Sequence, residues 1–247
     1  MTLEVDRPGA GEAGVRPDLA PFAEIGTLIP FAEEQLLGEQ GALAPGLFLV
    51  LRGQVLLRRT SSENGSQAVC LLGPGDAFGE GSLLEDRRFL FTVRAVTPGS
   101  AVLLTAAQLH HLARASPEQA RAVLQLLSRR LEISHTQVEL LGAGSPRTRV
   151  LGWLHAWARR QGHREGNETW LPLGLTHAEL GEVVGLARET VTRTLALLEK
   201  DGVIRRSNRQ GMWLTTAART VRCVALGAIS ALPNAVAEAA PLLPLLG

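Results

Sequence analysis

Short apolar runs separated by turn residues occupy the first half of the chain. Five such runs lie between residues 47 and 104, namely LFLVL, VLL, AVCLL, FLFTVRAV and AVLL. Glycine, proline, asparagine or aspartate stands in most of the gaps between them. Short strands interrupted this regularly predict an antiparallel sandwich or barrel of the jelly-roll kind.

The hydrophobic period then changes to that of a helix. From residue 117 to 141, spacings of four and three alternate along one stripe, formed by Ala120, Leu124, Leu127, Leu131, Ser134, Val138 and Leu141. This a/d pattern predicts a long helix that packs against a partner helix. Because the sequence contains no second heptad helix of that length, we expect homodimerisation. The alternative is a helix that packs only on its own sheet. Residues 142–146, GAGSP, are expected to end the helix and form a hinge.

The segment LTHAELGEVVGLARETVTRTLALLEKDGVI, residues 175–204, predicts a helix-turn-helix. Thr176 and Glu179 have the T-x-x-E spacing of a capping box, which starts the first helix. Gly185 provides the turn. The positions expected to be buried on the first helix include Ala178, Val183 and Val184. The free amides at the start of that helix, beside Thr176, suit a DNA phosphate.

The second helix is predicted from about residue 187 to 201. At about 100° per residue, its polar side chains Arg188, Glu189, Thr192 and Arg193 share one arc of about 140°. Arginine can pair with guanine and glutamate with cytosine in the major groove. Residues 203–206 and 212–215 then predict a β-hairpin wing. The complete DNA-contact prediction is Thr176, Arg188, Glu189, Thr190, Thr192, Arg193 and, in the wing, Arg209. The alternative is an ordinary amphipathic helix pair with a solvated Arg/Glu face.

Composition narrows the function classes. The formal charge is +1, and hydrophobic residues make up 45% of the chain. Residues 143–220 carry 12 Lys+Arg and 7 Asp+Glu, a balance of +5, so the remainder has −4. This asymmetry favours a polyanionic partner for the C-terminal region. The two cysteines, Cys70 and Cys223, are too few for a disulfide framework or an iron–sulfur cluster. We expect no metal, no membrane partner and a cytoplasmic location, and Cys70 is expected to be a buried small hydrophobe.

The motifs together resemble the CRP/FNR family of bacterial transcription regulators. GEVVGLARETVTRTL is similar to the family's helix-turn-helix, GPGDAFGE (residues 73–80) to its jelly-roll segment, and residues 128–141 to its dimerisation helix. The resemblance implies a regulator, not an enzyme, that binds double-stranded DNA as a homodimer at a palindromic TGTGA-like site. Arg188, Glu189 and Arg193 would read the bases. RNA polymerase is a further partner that the resemblance suggests.

The resemblance also implies an effector pocket. Gly79 and Glu80 match the family's Gly-Glu pair for the ribose and phosphate of a cyclic nucleotide. Ser134 matches a hydroxyl residue that reaches adenine in cyclic-AMP members, and His135 replaces a second hydroxyl. The Arg-Ser pair of the phosphate cradle is replaced by Phe89 and Leu90. Three interpretations remain open: Arg88 binds the phosphate of cyclic AMP, another effector binds, or the protein acts without one.

The predicted fold class is α+β, with an N-terminal jelly roll, a dimerisation helix and a C-terminal winged helix-turn-helix. The predicted boundaries are a mobile arm at 1–20, the jelly roll at 21–115, the dimerisation helix at 116–142, the DNA-binding domain at 143–220 and an apolar extension at 221–247. A cyclic-nucleotide-binding module that regulates a partner protein is the alternative function. A cupin-type metalloenzyme is excluded because it needs histidines in the strands, and none precedes His110.

Overall fold

The structure, a computed structural model, describes residues 19–63, 65–207 and 211–215. Arg209 and the apolar extension at 221–247 therefore lie outside the described residues, as does nearly all of the predicted arm. The last two residues of the arm, 19 and 20, are not mobile as predicted but belong to the folded sandwich. Leu19 is buried and Ala20 begins a short helix, because this segment packs in an apolar cluster with Leu104 and Leu109.

The N-terminal half is a sandwich of two antiparallel four-stranded sheets, which confirms the predicted jelly-roll class. One sheet has the order β1-β8-β3-β6 and the other β2-β7-β4-β5. The elements are helix α1 (Ala20–Ile25), then β1 (Thr27–Phe31), β2 (Leu36–Gly38), β3 (Leu47–Arg52), β4 (Val55–Ser61), β5 (Gly65–Leu72), β6 (Ala77–Phe78), β7 (Thr92–Ala95) and β8 (Gly99–Leu104). The five predicted apolar runs overlap β3, β4, β5, β7 and β8.

Two helices follow the sandwich, α2 (Ala106–Ala115) and α3 (Pro117–Gly142). The 26 residues of α3 form one continuous helix, about 39 Å long at 1.5 Å per residue. Three residues spaced by seven, Leu126, Ile133 and Leu140, are buried against the same chain. The predicted heptad stripe lies on a different side, where Leu131 is 57% and Val138 70% exposed. The helix thus has one apolar stripe for its own chain and another facing outward.

The C-terminal part is a winged helix-turn-helix. Its helices are α4 (Pro146–Gln161), α5 (His177–Val184) and α6 (Arg188–Lys200), and its strands are β9 (His163–Glu165), β10 (Glu168–Pro172), β11 (Ile204–Arg206) and β12 (Gly211–Thr215). The strands form an antiparallel sheet of order β11-β12-β10-β9. The β11–β12 hairpin confirms the predicted wing. The β9–β10 hairpin was not predicted, because all three residues of β9 are exposed and carry no apolar signal.

One apolar cluster joins the two halves of the molecule. Leu56 and Leu71 of the sandwich belong to the same buried cluster as Trp157 of α4, Val183 of α5 and Leu195 of α6.

Two residues that were predicted to be buried have different outcomes. Cys70 is buried as expected, and burial raises the pKa of its thiol. Ala178 is exposed, contrary to prediction, since α5 turns Leu180, Val183 and Val184 inward instead. No helix within residues 19–207 is long and apolar enough to cross a membrane.

Close packing of α5 predicts an inverted effect of a glycine-to-alanine change. A Cβ at Gly181 would lie 2.5 Å from the carbonyl oxygen of Leu186, whereas a Cβ at Gly142, also helical, would meet nothing within 4 Å. Alanine normally stabilises a helix interior by about 1 kcal/mol relative to glycine. We expect Gly181→Ala to lower the free energy of unfolding by about 1–3 kcal/mol, while Gly142→Ala leaves it unchanged or raises it. Urea unfolding measures both. Equal effects would contradict this account of the packing.

Candidate nucleic-acid interface and effector pocket

The first helix of the motif begins with the predicted capping box. The Thr176 hydroxyl accepts a hydrogen bond from the Glu179 amide at 3.2 Å, and the Glu179 carboxylate accepts one from the Thr176 amide at 2.9 Å. These bonds satisfy donors that the start of a helix otherwise leaves unpaired. The capping box therefore fixes where α5 begins and holds Thr176 exposed at its N-terminus.

The turn between the two helices depends on two glycines. Gly185 adopts φ 66°, ψ 42°, the left-handed conformation that ends a helix at low cost in glycine. The Leu186 amide then donates to the Gly181 carbonyl at 2.8 Å, which brings the chain back across α5. The absence of a side chain at Gly181 allows this close approach. The geometry of the turn thus follows directly from the positions of the two glycines.

The second helix presents the predicted polar arc to solvent. Arg188, Glu189, Thr192 and Arg193 are all exposed, and Thr190 is half-buried. The opposite side, which carries Val191, Thr194, Leu195 and Leu198, is buried. Ala187 at the N-cap provides no side-chain capping bond, so the first-turn amides are not capped by their own helix start. An exposed arginine-rich face beside uncapped amides is suited to an anionic partner.

Thr192 is held by contacts that the sequence does not reveal. Its hydroxyl donates to the Arg188 carbonyl at 3.0 Å and lies 2.9 Å from Nδ1 of His177, the first residue of α5. Because one hydroxyl proton is already used, Nδ1 is the donor in the second bond. His177 therefore fixes the side chain of Thr192 across the two helices. Only its position directly after the capping threonine could have suggested this role.

Charged groups surround this contact. Partial burial, followed by the charges of Arg206 and Arg188, lowers the pKa of His177. Arg206 of the wing donates to Glu199 of α6 at 2.7 Å, and that hydrogen bond lowers the pKa of the Glu199 carboxyl. The wing is thus tied to the second helix. The predicted contact residue of the wing itself, Arg209, lies outside the described part of the chain.

The predicted effector residues come together only in part. Arg130 of α3 donates from Nε to the Glu80 carboxylate at 3.1 Å, and its Nη1 is 3.4 Å from the hydroxyl of Ser134. Gly79 directly precedes Glu80 and adopts φ 83°. Glu80, Arg130 and Ser134 therefore form one small network, in which an arginine of the same chain occupies the carboxylate. His135 is exposed on α3.

A phenylalanine fills the position predicted for the phosphate cradle. The Phe89 ring is 6% exposed and its centroid lies 6.1 Å from that of Phe48. It covers the backbone of Gly38 and Gly79 so closely that a Cβ at Gly38 would lie 2.7 Å from the ring. Arg88 is exposed, and its guanidinium donates to the Gly41 carbonyl at 2.5 Å rather than lying beside Glu80. The residues present do not fit the phosphate of a cyclic nucleotide, since an apolar ring cannot neutralise it.

Two clefts in the described part of the chain lie elsewhere. One, of about 280 Å³, is bounded by the β5–β6 turn, α3 and α4, with Asp76, Gln137 and Trp157 in its wall. The other, of about 520 Å³, lies between α2, α3 and residues 82–87. Neither is lined by Gly79, Glu80, Arg88, Ser134 or His135.

Comparison with known proteins now identifies the two halves. The family model of the cyclic nucleotide-binding domain matches residues 28–116, and that of the Crp-like helix-turn-helix domain matches residues 148–219. The chain is 34% identical over 166 residues to the cyclic AMP receptor protein of Thermus thermophilus, covering 67% of this chain and 74% of that protein. It belongs to the CRP/FNR family of transcription regulators.

The chain is also similar to other regulators, at lower identity but over more of its length. The nitrogen fixation regulation protein FixK of Azorhizobium caulinodans is 29% identical over 202 residues, 81% of this chain and 80% of the relative. The structure of FixK2 from Bradyrhizobium japonicum superposes with a TM-score of 0.69 at 21% identity, over 81% of this chain and 99% of that one. The predicted family and the predicted class of DNA-binding transcription regulator are confirmed. The roles of the individual site residues stay predictions.

The lowered pKa of His177 predicts a loss of stability in acid. A histidine whose pKa is lower in the folded than in the unfolded state binds its proton more weakly when folded. The contribution of His177 to the free energy of unfolding is therefore present above the pKa of the unfolded state and is lost as pH falls through about 6.5 and below. We expect the free energy of unfolding of the wild type to fall more between about pH 7.5 and pH 5.5 than that of His177→Gln. Parallel pH profiles of the two proteins would contradict a lowered pKa of His177 in the folded state.

Proposed function

We propose that this regulator binds a palindromic TGTGA-like site as a homodimer and that its DNA binding does not require cyclic AMP. The observation that carries the DNA-binding part is the exposed arc of α6, with Arg188, Glu189 and Arg193 clear of the rest of the molecule. These side chains project from the N-terminal end of the second helix, where helix-turn-helix proteins contact base edges. RNA polymerase is a further partner suggested by the family.

The outward stripe of α3 supports the homodimer. Leu124, Leu131, Val138 and Leu141 are between 43% and 70% exposed, although they lie at heptad positions that normally pack against a second helix. A two-fold axis along α3 would bring the two stripes together and bury them. It would also present two recognition helices to successive major grooves, which are about 34 Å apart.

Independence from cyclic AMP is supported by Phe89 and Arg130. A nucleotide at the predicted position would have to displace a buried aromatic ring and break the ion pair between Arg130 and Glu80. Arg88, the candidate substitute for the cradle arginine, is directed to the Gly41 carbonyl. The relative from Thermus thermophilus is named a cyclic AMP receptor protein. Dependence on that nucleotide is therefore the property in which this chain is expected to differ.

Fluorescence anisotropy of a labelled TGTGA-N6-TCACA duplex tests the DNA-binding part. We expect specific binding relative to scrambled DNA, with the same affinity with and without cyclic AMP. Arg188→Ala should weaken binding by about 1–3 kcal/mol and relax the base preference, because a bidentate pair to a base is lost. Arg114→Ala, which removes an exposed arginine of α2, is the matched control. Binding only with cyclic AMP, or unchanged specificity in Arg188→Ala, would contradict the proposal.

The dimer is tested by a charge placed in the outward stripe. Leu131→Glu should dissociate the dimer, because two buried carboxylates would face each other across the two-fold axis. Leu28→Glu on β1 replaces a leucine that is similarly exposed, at 60%, but lies away from α3. Sedimentation velocity should show a monomer for the first variant and a dimer for the second. A dimeric Leu131→Glu protein would show that α3 packs with its own sheet alone.

A further inference from the structure

The side of α5 that faces the sandwich carries two carboxylates that pair with arginines of the sandwich. Glu182 contacts Arg58 of β4, and Glu179 contacts Arg94 of β7. Helix α5 is the first helix of the DNA-binding motif, so these two pairs connect the sensor sandwich directly to the DNA-reading unit. Neither pair belongs to the nucleotide pocket or to the DNA-facing arc.

Each partner of the Glu182–Arg58 pair makes further hydrogen bonds on the sandwich. Arg58 Nη2 lies 2.8 Å from Glu182 Oε2, and the same oxygen accepts a hydrogen bond from the Ala68 amide of β5 at 2.6 Å. Arg58 is itself held by two bonds to Ser66, at 3.1 and 3.0 Å. Because the guanidinium is 20% and the carboxylate 33% exposed, this pair is screened less than a surface pair.

The Glu179 contact divides one carboxylate between two tasks. Its Oε2 completes the capping box of α5, while its Oε1 accepts from Arg94, and the side chain is only 15% exposed. Arg94 also pairs with Glu34 on the same sandwich. The start of α5 is therefore bonded to β7 through the residue that sets where the helix begins.

A buried amide fixes the chain that leads into α5. The Gln54 side chain, 5% exposed, donates to the Pro172 carbonyl at 2.8 Å and accepts from the Gly174 amide at 3.1 Å. Its backbone position between β3 and β4 belongs to the sandwich. The segment that leads into α5 is thus bonded to the sandwich at two backbone groups, those of Pro172 and Gly174.

Helices α5 and α6 pack closely against each other. The two helices meet at Gly181, where the Leu186 amide bonds to the Gly181 carbonyl at 2.8 Å and Val191 packs close by. The docking leaves the arc of Arg188, Glu189 and Arg193 exposed, so the sandwich does not cover the DNA-facing side. The contacts of α5 therefore orient the recognition helix without blocking it.

We propose that Glu182 and Glu179 are positioning residues, which fix the orientation of α6 on the sandwich and thereby set the half-site spacing that the dimer accepts. This inference rests on the proposed DNA-binding dimer. A recognition helix held in one orientation matches one half-site spacing. When the contact is broken, only a fraction of molecules holds both helices correctly, and apparent affinity falls by that fraction.

The test compares DNA spacers rather than affinity alone. Full-length protein is titrated against TGTGA-N4-TCACA, TGTGA-N6-TCACA and TGTGA-N8-TCACA duplexes, whose half-sites differ by about 7 Å per step along the axis. Glu182→Arg places a second positive charge against Arg58. For this variant we expect about fivefold to tenfold weaker binding to the best spacer. We also expect the preference for that spacer over the other two to shrink.

Two further variants separate positioning from a general loss of structure. The exchange Arg58→Glu/Glu182→Arg restores the opposite charges and should recover much of the spacer preference, though the bond from the Ala68 amide stays lost. Asp201→Arg breaks an ion pair of similar length, 2.7 Å to Arg147, but both partners lie in the DNA-binding domain. It should leave the spacer preference as in the wild type. Thermal unfolding checks that each variant is folded.

Hydrogen exchange of α5 without DNA provides an independent readout. We expect the amides of residues 177–184 to exchange faster in Glu182→Arg and to regain protection in the charge exchange. Unchanged spacer preference in a folded Glu182→Arg protein would overturn the positioning role. So would a failure of the double variant Arg58→Glu/Glu182→Arg to recover that preference. If the wild type binds none of the three duplexes above scrambled DNA, the proposed function fails instead. Unchanged protection of α5 in Glu182→Arg would then overturn the contact as well.

Discussion

The long helix α3 has to pack on two sides at once, one against its own chain and one that faces outward. Its residues spaced by seven form two apolar stripes, of which one, with Leu126, Ile133 and Leu140, is buried against the same chain. The other remains outside. A helix that is amphipathic in two directions both completes a sandwich core and offers a surface for a second copy. The helix ends at Gly142, and the C-terminal elements that follow are placed by their own contacts with the sandwich.

The two halves of the molecule are joined by polar contacts around an apolar cluster. The cluster extends from Leu56 of β4 to Leu195 of α6, so the sandwich contributes to the core under the DNA-binding helices. Apolar packing is non-directional, whereas the arginine pairs of Glu179 and Glu182 and the amide of Gln54 have defined geometry. The cluster packs the two halves together, and the polar bonds have the defined geometry that selects one orientation.

Apolar packing and a directional polar pair also meet at the predicted effector position. A jelly roll packed against a helix leaves a space between them, and side chains of the same chain can fill that space. Here Phe89 supplies the apolar filling and Arg130 supplies the cation beside Glu80. Retention of Gly79 and Glu80 therefore maintains the turn and an internal ion pair. The Gly-Glu motif in the sequence therefore does not by itself predict a ligand, since the aromatic ring beside it is a feature that only the packing shows.

Local rules were sufficient for much of this protein. The capping box, the left-handed glycine, the heptad stripe and the polar arc of α6 each depend on residues within a few turns of one another, so the sequence alone determined them. Strands β1, β2, β6, β9 and β10 escaped prediction. Strands β1, β2 and β9 are short and partly exposed, β6 has only two residues, and four of the five residues of β10 are only half-buried. Tertiary structure alone decided what distant residues do together: the bond from His177 to Thr192, the ring of Phe89 over Gly38 and Gly79, and the pairing of Glu182 with Arg58. These contacts join segments whose separation in sequence carries no periodic signal, and packing sets their geometry.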